Sequence, residues 1–334
     1  MKKPNIALFA LGGTILMSGD SRTGVKPKLG AKEFVNSLPQ VAQMVDLDVE
    51  QLVQKPSGAL TITDIAQLAA CVRDAIKRGV DGIVVIQGTD TIEETAFALD
   101  LMVSASCPVV ITGAMRNPSM AGSDGSANLI TAISAATYTE LADYGVVVAF
   151  DSELHLACHV AKQDSIKVDA FHSPLCGPVG RVVEDRVLLF TKPITRRSFR
   201  CDLQGTFDAV PVALITSSIN DDCRLITAAV HGGYKAIVLA AMGAGHVPPD
   251  VADRLEEATR HIPVVFSSRS PSGQICKHTY GYDGGEMDLL RRGLISSGWL
   301  PPLKAKVLTS LILTQHSGKK VISESLEAYD GGTL

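Results

Sequence analysis

GIVVIQGTDTIEETAFALDLMVSASCPVVITGAMR, residues 82–116, decides the fold. Residues 82–87 and 108–113 are short runs rich in Ile and Val, and 91–105 between them has the pattern of an amphipathic helix. Runs that are apolar at consecutive positions belong to strands buried on both faces, and interleaved helices supply the cover. Strand, helix and strand in this order make the unit of a parallel sheet.

The same alternation extends outward. IALFAL (6–11) is a strand, and TDIAQLAACVRDAIKRG (63–79) is a helix with Thr63 as N-cap and Gly79 as C-cap. GSANLITAISAATYT (125–139) is a helix, YGVVVAF (144–150) a strand, and GRVVEDRVLLF (180–190) a hairpin turning at Glu184-Asp185. TKPITRRSFRCDLQGTFDAVP (191–211) then loses periodicity and gains charge and proline, as a linker does. Strands at 212–216, 236–243 and 263–268 follow, with helices near 222–232 and 249–260, and helices near 286–297 and 302–315 close the chain. The expected architecture is two α/β domains. A larger N-terminal doubly wound, mostly parallel sheet covers 1–190, a linker 191–211, and a smaller C-terminal α/β domain 212–334.

Composition agrees. The chain has 334 residues, 46% of them hydrophobic and 20% charged, which excludes disorder, collagen and coiled coil. A net charge of −4 without runs of like charge argues against a nucleic-acid surface. No apolar run reaches the ~20 residues of a membrane span. Lys2-Lys3 before IALFALGGTIL imitates a signal peptide, but Gly12-Gly13 interrupts the run and no small-x-small cleavage site follows. The seven cysteines are scattered without a CxxC pair, so reduced thiols and a cytoplasmic location are expected.

Ligands of open α/β sheets bind beyond the carboxyl ends of the strands, so the loops there carry the candidate chemistry. Leu11-Gly12-Gly13-Thr14 follows the first strand and combines close backbone approach with a hydroxyl. It matches neither GxGxxG nor GxxxxGK[ST], so a nucleotide site is not supported. Gln87-Gly88-Thr89-Asp90-Thr91 supplies hydroxyl, carboxylate and hydroxyl, where a helix cap alone needs one side chain. Gly113-Ala114-Met115-Arg116 is the third loop, and Lys162 sits in a polar stretch without period, where a solvated surface lysine is the plain reading. His155, Cys158 and His159 have zinc spacing if helical, but lack a further ligand and the HExxH pattern. No metal and no cofactor is expected. Hydroxyls beside an amine point to acyl transfer through an activated threonine.

At these residues the sequence resembles the bacterial L-asparaginase/glutaminase family. LGGTI (11–15) and VIQGTDTIEETA (85–96) look like its two signatures, GAMR (113–116) like its third loop, and SSGWLPPLKAKVLTSLILT (296–314) like its closing segment. Lys162, nine residues before Phe171, has the family's spacing. The resemblance spans nearly all of 4–315. It implies Thr14 as nucleophile, Thr89 with Lys162 as a second hydroxyl–amine pair, Asp90 on the substrate ammonium and Ser57 on its carboxylate. N–H groups near Gly13 and Thr89 would form the oxyanion hole, and Ala114 would contact the amide through its main chain. A neighbouring subunit would lend an acid, Glu286 by ungapped counting from Gly293 and otherwise Asp283, in a homotetramer of intimate dimers.

Three departures from the family pattern stand out. Residues 16–30 lack the lid tyrosine, whose slot falls at Val25 or Gly24, with Tyr280 and Tyr282 as candidates to replace it. Leu11 stands before Gly-Gly where a hydroxyl residue is usual. His246 replaces a substrate-side Asn, and Gly58 a Gln. The expected activity is hydrolysis of L-asparagine to L-aspartate and ammonia. The alternatives are L-glutamine or another small amide as substrate, or a catalytically weak amino-acid-binding homologue. A tRNA-dependent amidotransferase subunit is less expected, since the chain starts almost at its first strand.

Overall fold

The computed structural model describes residues 2–20, 24–27, 30–193, 200–201, 210–315 and 318–330. Most of the stretch read as a linker, 194–199 and 202–209, lies outside the described residues. The chain divides into two units, Met1–Arg196 and Arg197–Leu334.

The first unit runs β1 (Asn5–Ala10), β2 (Met17–Asp20), β3 (Gly24–Pro27), α1 (Ala31–Asn36), α2 (Pro39–Met44), β4 (Asp46–Gln51) and α3 (Ile62–Lys77). It continues through β5 (Gly82–Ile86), α4 (Ile92–Met102), β6 (Val109–Thr112), α5 (Gly125–Ala136), β7 (Val146–Phe150) and β8 (Glu153–Leu156). β9 (Ala161–Lys162), β10 (Phe171–His172), β11 (Gly180–Val183) and β12 (Arg186–Leu189) complete it. Eight strands form one sheet in the order β12-β11-β8-β7-β6-β5-β1-β4. β4, β1, β5, β6 and β7 are parallel, whereas β8, β11 and β12 join antiparallel at one edge.

The consecutive apolar strand residues are explained by cover on both faces. Ile6, Leu8 and Ala10 of β1 share a core with Val84, Ile86, Phe34 of α1 and Leu129 and Ile133 of α5. Ala7, Phe9, Ile83 and Val85, pointing the other way, are buried as completely. α3 and α4 pack together, and α4 lies against β6 and β7. Each fully buried large aliphatic or aromatic side chain contributes about 1.5–3 kcal/mol, so the strands are held strongly where the loops begin.

The chain leaves β1 for β4 on one side and returns through α3 to β5 on the other. This places the switch point, where ligands of such sheets bind, at the carboxyl ends of β1 and β5.

Several details depart from the sequence reading. α3 starts from Thr61, not Thr63, because Thr61 and Asp64 form a reciprocal capping box. Arg78 is its C-cap, and Gly79 follows at φ 80. Helix 91–105 ends at Met102, and helix 125–139 at Ala136. The hairpin is as expected, with Glu184 and Asp185 both at positive φ. β2 to β4 and β8 to β10 were not anticipated. β4 did carry a signal, since DLDVEQ alternates polar and apolar at a sheet edge.

The second unit contains β13 (Val212–Thr216), α6 (Arg224–His231), β14 (Ala236–Ala241), α7 (Pro249–Thr259) and β15 (Val264–Ser268). α8 (Glu286–Arg291), β16 (Ile295–Ser296), α9 (Pro302–Gln315) and α10 (Lys319–Glu327) follow, and β13-β14-β15-β16 form a wholly parallel sheet. The helix expected over 286–297 is half that length. Gly293 at φ 88 ends it, and Ile295–Ser296 pair with β15 instead. No helix among the described residues is long and apolar enough to cross a membrane.

Candidate active site

β1 and β5 end side by side, Leu11 N–H donating to Ile86 O at 2.9 Å. Beyond them the backbones converge until only glycine fits. Gly13 has φ 95, and a Cβ there would lie 2.0 Å from Gly88 N. Gly12 has φ 102, and its Cβ would lie 2.6 Å from Lys55 O. A Cβ on Gly88 would meet Ser57 Oγ at 2.8 Å, and one on Gly113 would meet Gln87 O at 2.6 Å. Four loops are thus welded backbone to backbone, leaving the flanking side chains to chemistry.

Among those side chains are Thr14, Thr89, Asp90 and Ser57 of the sequence reading. Thr14 and Thr89 each follow a welded glycine and each opens a single 3₁₀ turn, Thr14–Leu16 and Thr89–Thr91. Thr14 is half-buried and Thr89 buried. Lys162 Nζ donates to Thr89 Oγ1 at 2.9 Å and to Asp90 Oδ1 at 2.7 Å. Its side chain is 15% exposed against 72% for Asp90, so the amine is enclosed while the carboxylate faces outward.

Lys162 is therefore no solvated surface group. It lies on β9, paired with Phe171 of β10, in a ribbon too short to show a period. Ser57 is buried in the turn Ser57–Ala59, its Oγ accepting from Asp90 N at 3.1 Å and its carbonyl from Thr91 Oγ1 at 3.2 Å. It fixes the 89–91 turn as well as presenting a hydroxyl.

Residues the sequence reading missed hold the loops in place. The Asp124 carboxylate accepts from Met115 N at 2.9 Å and Arg116 N at 2.8 Å, and Asn128 Nδ2 donates to Gly113 O at 3.1 Å. Together they shape the loop of Ala114, which is itself fully buried. Asn128 was detectable as an amide inside an otherwise small and apolar helix. Lys55 bonds Asp64 at 2.8 Å, tying the Ser57 loop to the start of α3. Burial pushes the Asp64 carboxyl up, but hydrogen bonds from Lys55 and Thr61 outweigh it and hold the group below its usual value.

Of the stretch expected to act as a lid, residues 21–23 and 28–29 lie outside the described residues, while β2 and β3 pair as a hairpin. Gly24 pairs with Asp20 in it, and Val25 with Gly19.

Glu286 belongs to the second unit and is fully buried, whereas Asp283 is exposed. Glu286 Oε1 accepts from Thr279 N at 2.9 Å and Tyr280 N at 2.8 Å. Burial pushes this carboxyl up, and those N–H donors more than reverse it, leaving it below its ordinary value. Its Oε2 faces His246 Nε2 at 3.6 Å, neither atom having a hydrogen-bond partner among the described residues. His246 packs edge-on against Tyr280, with ring centroids 4.6 Å apart, and Tyr282 lies beside both.

The helical premise of the His155/Cys158/His159 zinc pattern fails, since His155 lies on strand β8. Among the described residues no group of three or more His, Cys, Asp or Glu could hold a metal ion.

Family models match both units, residues 5–195 the "Asparaginase, N-terminal" family and residues 211–326 the "Glutaminase/Asparaginase C-terminal domain" family. The chain is 34% identical to the "Probable L-asparaginase periplasmic" of Haemophilus influenzae over 98% of this chain and 93% of that protein. It is 29% identical to the "Glutaminase-asparaginase" of Pseudomonas fluorescens over 98% of this chain and 91% of that one. The crystal structure of the "Probable Cytoplasmic L-asparaginase" of Campylobacter jejuni superposes with a TM-score of 0.90 at 32% identity, covering 98% of this chain and all of that one. With both family models matched in order, and an asparaginase structure superposing on nearly its whole length, the chain belongs to the asparaginase family.

Proposed function

We propose that the protein is an L-asparaginase that hydrolyses L-asparagine to L-aspartate and ammonia through an ester on Thr14. The observation that carries this reading is the enclosed Lys162 amine, 2.9 Å from Thr89 Oγ1 in the loop welded to that of Thr14. Thr14 Oγ attacks the amide carbon and its proton goes to the departing nitrogen, so ammonia leaves. Water then attacks the ester, and the Thr89–Lys162 pair carries the proton in transit, within transfer distance. N–H groups near Gly13 and Thr89 offset the oxyanion charge. The outward oxygen of Asp90 receives the substrate ammonium, Ser57 its carboxylate, and the main chain of Ala114 the amide. The route uses no metal or organic cofactor.

The assembly in this reading is a cytoplasmic homotetramer of intimate dimers in which Glu286 serves a neighbour's site. Glutamine is the weaker substrate, because one more methylene must fit the same Asp90–Ser57 clamp, a difference worth about 1–3 kcal/mol.

The test is ammonia release from asparagine, glutamine and their D-forms by wild type and Thr14→Ala. Thr14→Ala should lose about 10⁴-fold or more in kcat with an unchanged melting temperature. Turnover at the wild-type rate would remove Thr14 from the mechanism. Mixed Thr14→Ala and Glu286→Ala subunits should regain activity in proportion to hybrid formation, and a fully active Glu286→Ala enzyme would reject the shared site.

A further inference from the structure

Behind Lys162 lies a polar chain with no part in the reaction as described. His155 on β8 is fully buried, its Nδ1 3.0 Å from Ser173 Oγ. Its Nε2 faces Glu153 Oε2 at 3.5 Å and has no hydrogen-bond partner among the described residues. Glu153 is in turn held by Arg181 of β11, whose Nη2 donates to Oε1 at 2.6 Å. Ser, His and Glu in line resemble a hydrolytic triad, but Ser173 is only 4% exposed and no substrate reaches it. What Ser173 does reach is the ribbon. It follows Phe171–His172, and Phe171 is the strand partner of Lys162.

We propose that His155 is a positioning residue for Lys162, its ring accepting the Ser173 hydroxyl and so fastening the β9–β10 ribbon to strand β8 of the main sheet. The ribbon needs such a fastening. It has two residue pairs, far short of a stable hairpin, and Gln163 N to Ala170 O at 2.7 Å adds a single further bond. Phe171 stacks on Phe150 at 4.6 Å, which holds the ribbon down but does not fix it along the strand. A directional bond does that, and a shift of about 1 Å at Lys162 is enough to spoil proton transfer.

The tautomer follows from the surroundings. With the ring proton on Nε2 toward Glu153, Nδ1 is the acceptor and the Ser173 hydroxyl donates. The ring is neutral at physiological pH, because burial first of all, with His172 of β10 beside it, takes it down to about 4 against the upward pull of Glu153. Acid therefore removes the acceptor. The charged and titratable groups around the ring are Glu153 on its own strand, Arg181 behind it and His172 on the ribbon, while β7 presents apolar residues.

This inference rests on Lys162 acting in the reaction, and its test separates the two ideas. In the assembled enzyme, kcat and KM are measured with asparagine across a pH range that extends below the His155 value of about 4 and up to neutrality. The Lys162 amine is labelled in parallel with an amine-reactive ester and quantified by peptide mass spectrometry. His155→Leu should lower kcat about tenfold with KM changed less than twofold, and should label several-fold faster at Lys162. Ser173→Ala removes the same bond from the other side and should do likewise, which covers the case in which His155→Leu fails to fold. His155→Asn, whose side-chain oxygen falls near the position of Nδ1, should restore kcat to within threefold and lose the inflection near pH 4. Faster labelling with kcat unchanged would keep the positioning role and remove Lys162 from the mechanism. Unchanged labelling in both His155→Leu and Ser173→Ala overturns the proposal whatever kcat does, and so does failure of His155→Asn to rescue.

Discussion

Both units end their parallel strands in a cluster of loops, but they fasten those loops differently. In the first unit the contact is backbone on backbone, at Gly13 with Gly88 and Gly12 with Lys55. In the second, side chains add to the clasp. Ser268 Oγ donates to Gly243 O at 2.6 Å, and Arg269 Nη1 to Ser217 O at 2.7 Å. The second unit has close glycines as well: a Cβ on Gly284 would lie 2.2 Å from Val247 O, and one on Gly245 would meet the Phe266 and Ile275 side chains. In the first unit the close glycines stand directly before Thr14 and Thr89, so the candidate hydroxyls leave the point where the loops meet.

The sharpest way to break this contrast is Gly13→Ala. The new Cβ would stand 2.0 Å from Gly88 N, and neither backbone can give way because both loops leave buried strands. Strain at φ 95 and overpacking together should cost at least about 3 kcal/mol and abolish turnover. Thermal unfolding and ammonia release check it. A stable, active Gly13→Ala enzyme would show that the weld is dispensable.

Among the first unit's side-chain fastenings, His155 with Ser173 should make stability pH-dependent where the weld does not. The folded ring titrates near 4, below the 6.5 of an unperturbed histidine, so the unfolded chain binds the proton more readily. The stabilisation is fully present above pH 6.5 and is lost as pH falls from 6.5 to 4, up to about 3 kcal/mol over that window. Denaturant titrations across it should show the slope in wild type and its loss in His155→Leu. An identical slope in both would assign it to other groups.

The two fastenings also differ in how legible they were. The Gly-Gly-Thr and Gly-Thr-Asp-Thr loops are contiguous in sequence and follow strands with an unmistakable apolar pattern, so their place was readable. Lys162 reaches Thr89 across a ribbon of two residue pairs, which leaves no periodic trace, and only the family spacing singled it out. Asp124 and Ser173 act through hydrogen bonds set by tertiary approach and no local pattern marks them, whereas Asn128 is marked only as an amide inside an apolar helix. The start of α3 was misplaced by two residues because Thr61 and Thr63 are equal candidates until Asp64 is seen to complete the box with Thr61.

In the second unit, Ser268→Ala removes the bond to Gly243 O and the acceptor for Ser270 N. Each of these two hydrogen bonds is worth about 1 kcal/mol net, so a fall in unfolding free energy of about 1–2 kcal/mol with an unchanged kcat is expected. A loss as large as that from Gly13→Ala would erase the distinction between the two kinds of fastening.

The smallest effect on stability is expected at Gly58, the glycine beside the weld that takes no part in it. It follows Ser57 directly, yet a Cβ there meets nothing within 4 Å, and its φ lies outside the left-handed region. Gly58→Gln should therefore leave stability within about 0.5 kcal/mol, as surface substitutions do. Its consequence should appear in binding. Position 58 lies in the turn that is bonded to the Asp90 loop, Ser57 Oγ accepting from Asp90 N at 3.1 Å, so a glutamine there is tested as a further group on that side of the site. An amide there adds one hydrogen bond to the substrate's charged end, worth about 1 kcal/mol, and should lower KM for asparagine about fivefold with kcat unchanged. Glutamine carries the same charged end, so its KM should fall in parallel and the ratio between the two amides should hold. A change in that ratio would mean that position 58 senses the length of the side chain, placing the discrimination at the welded loops and not at the amide-facing loop of Ala114.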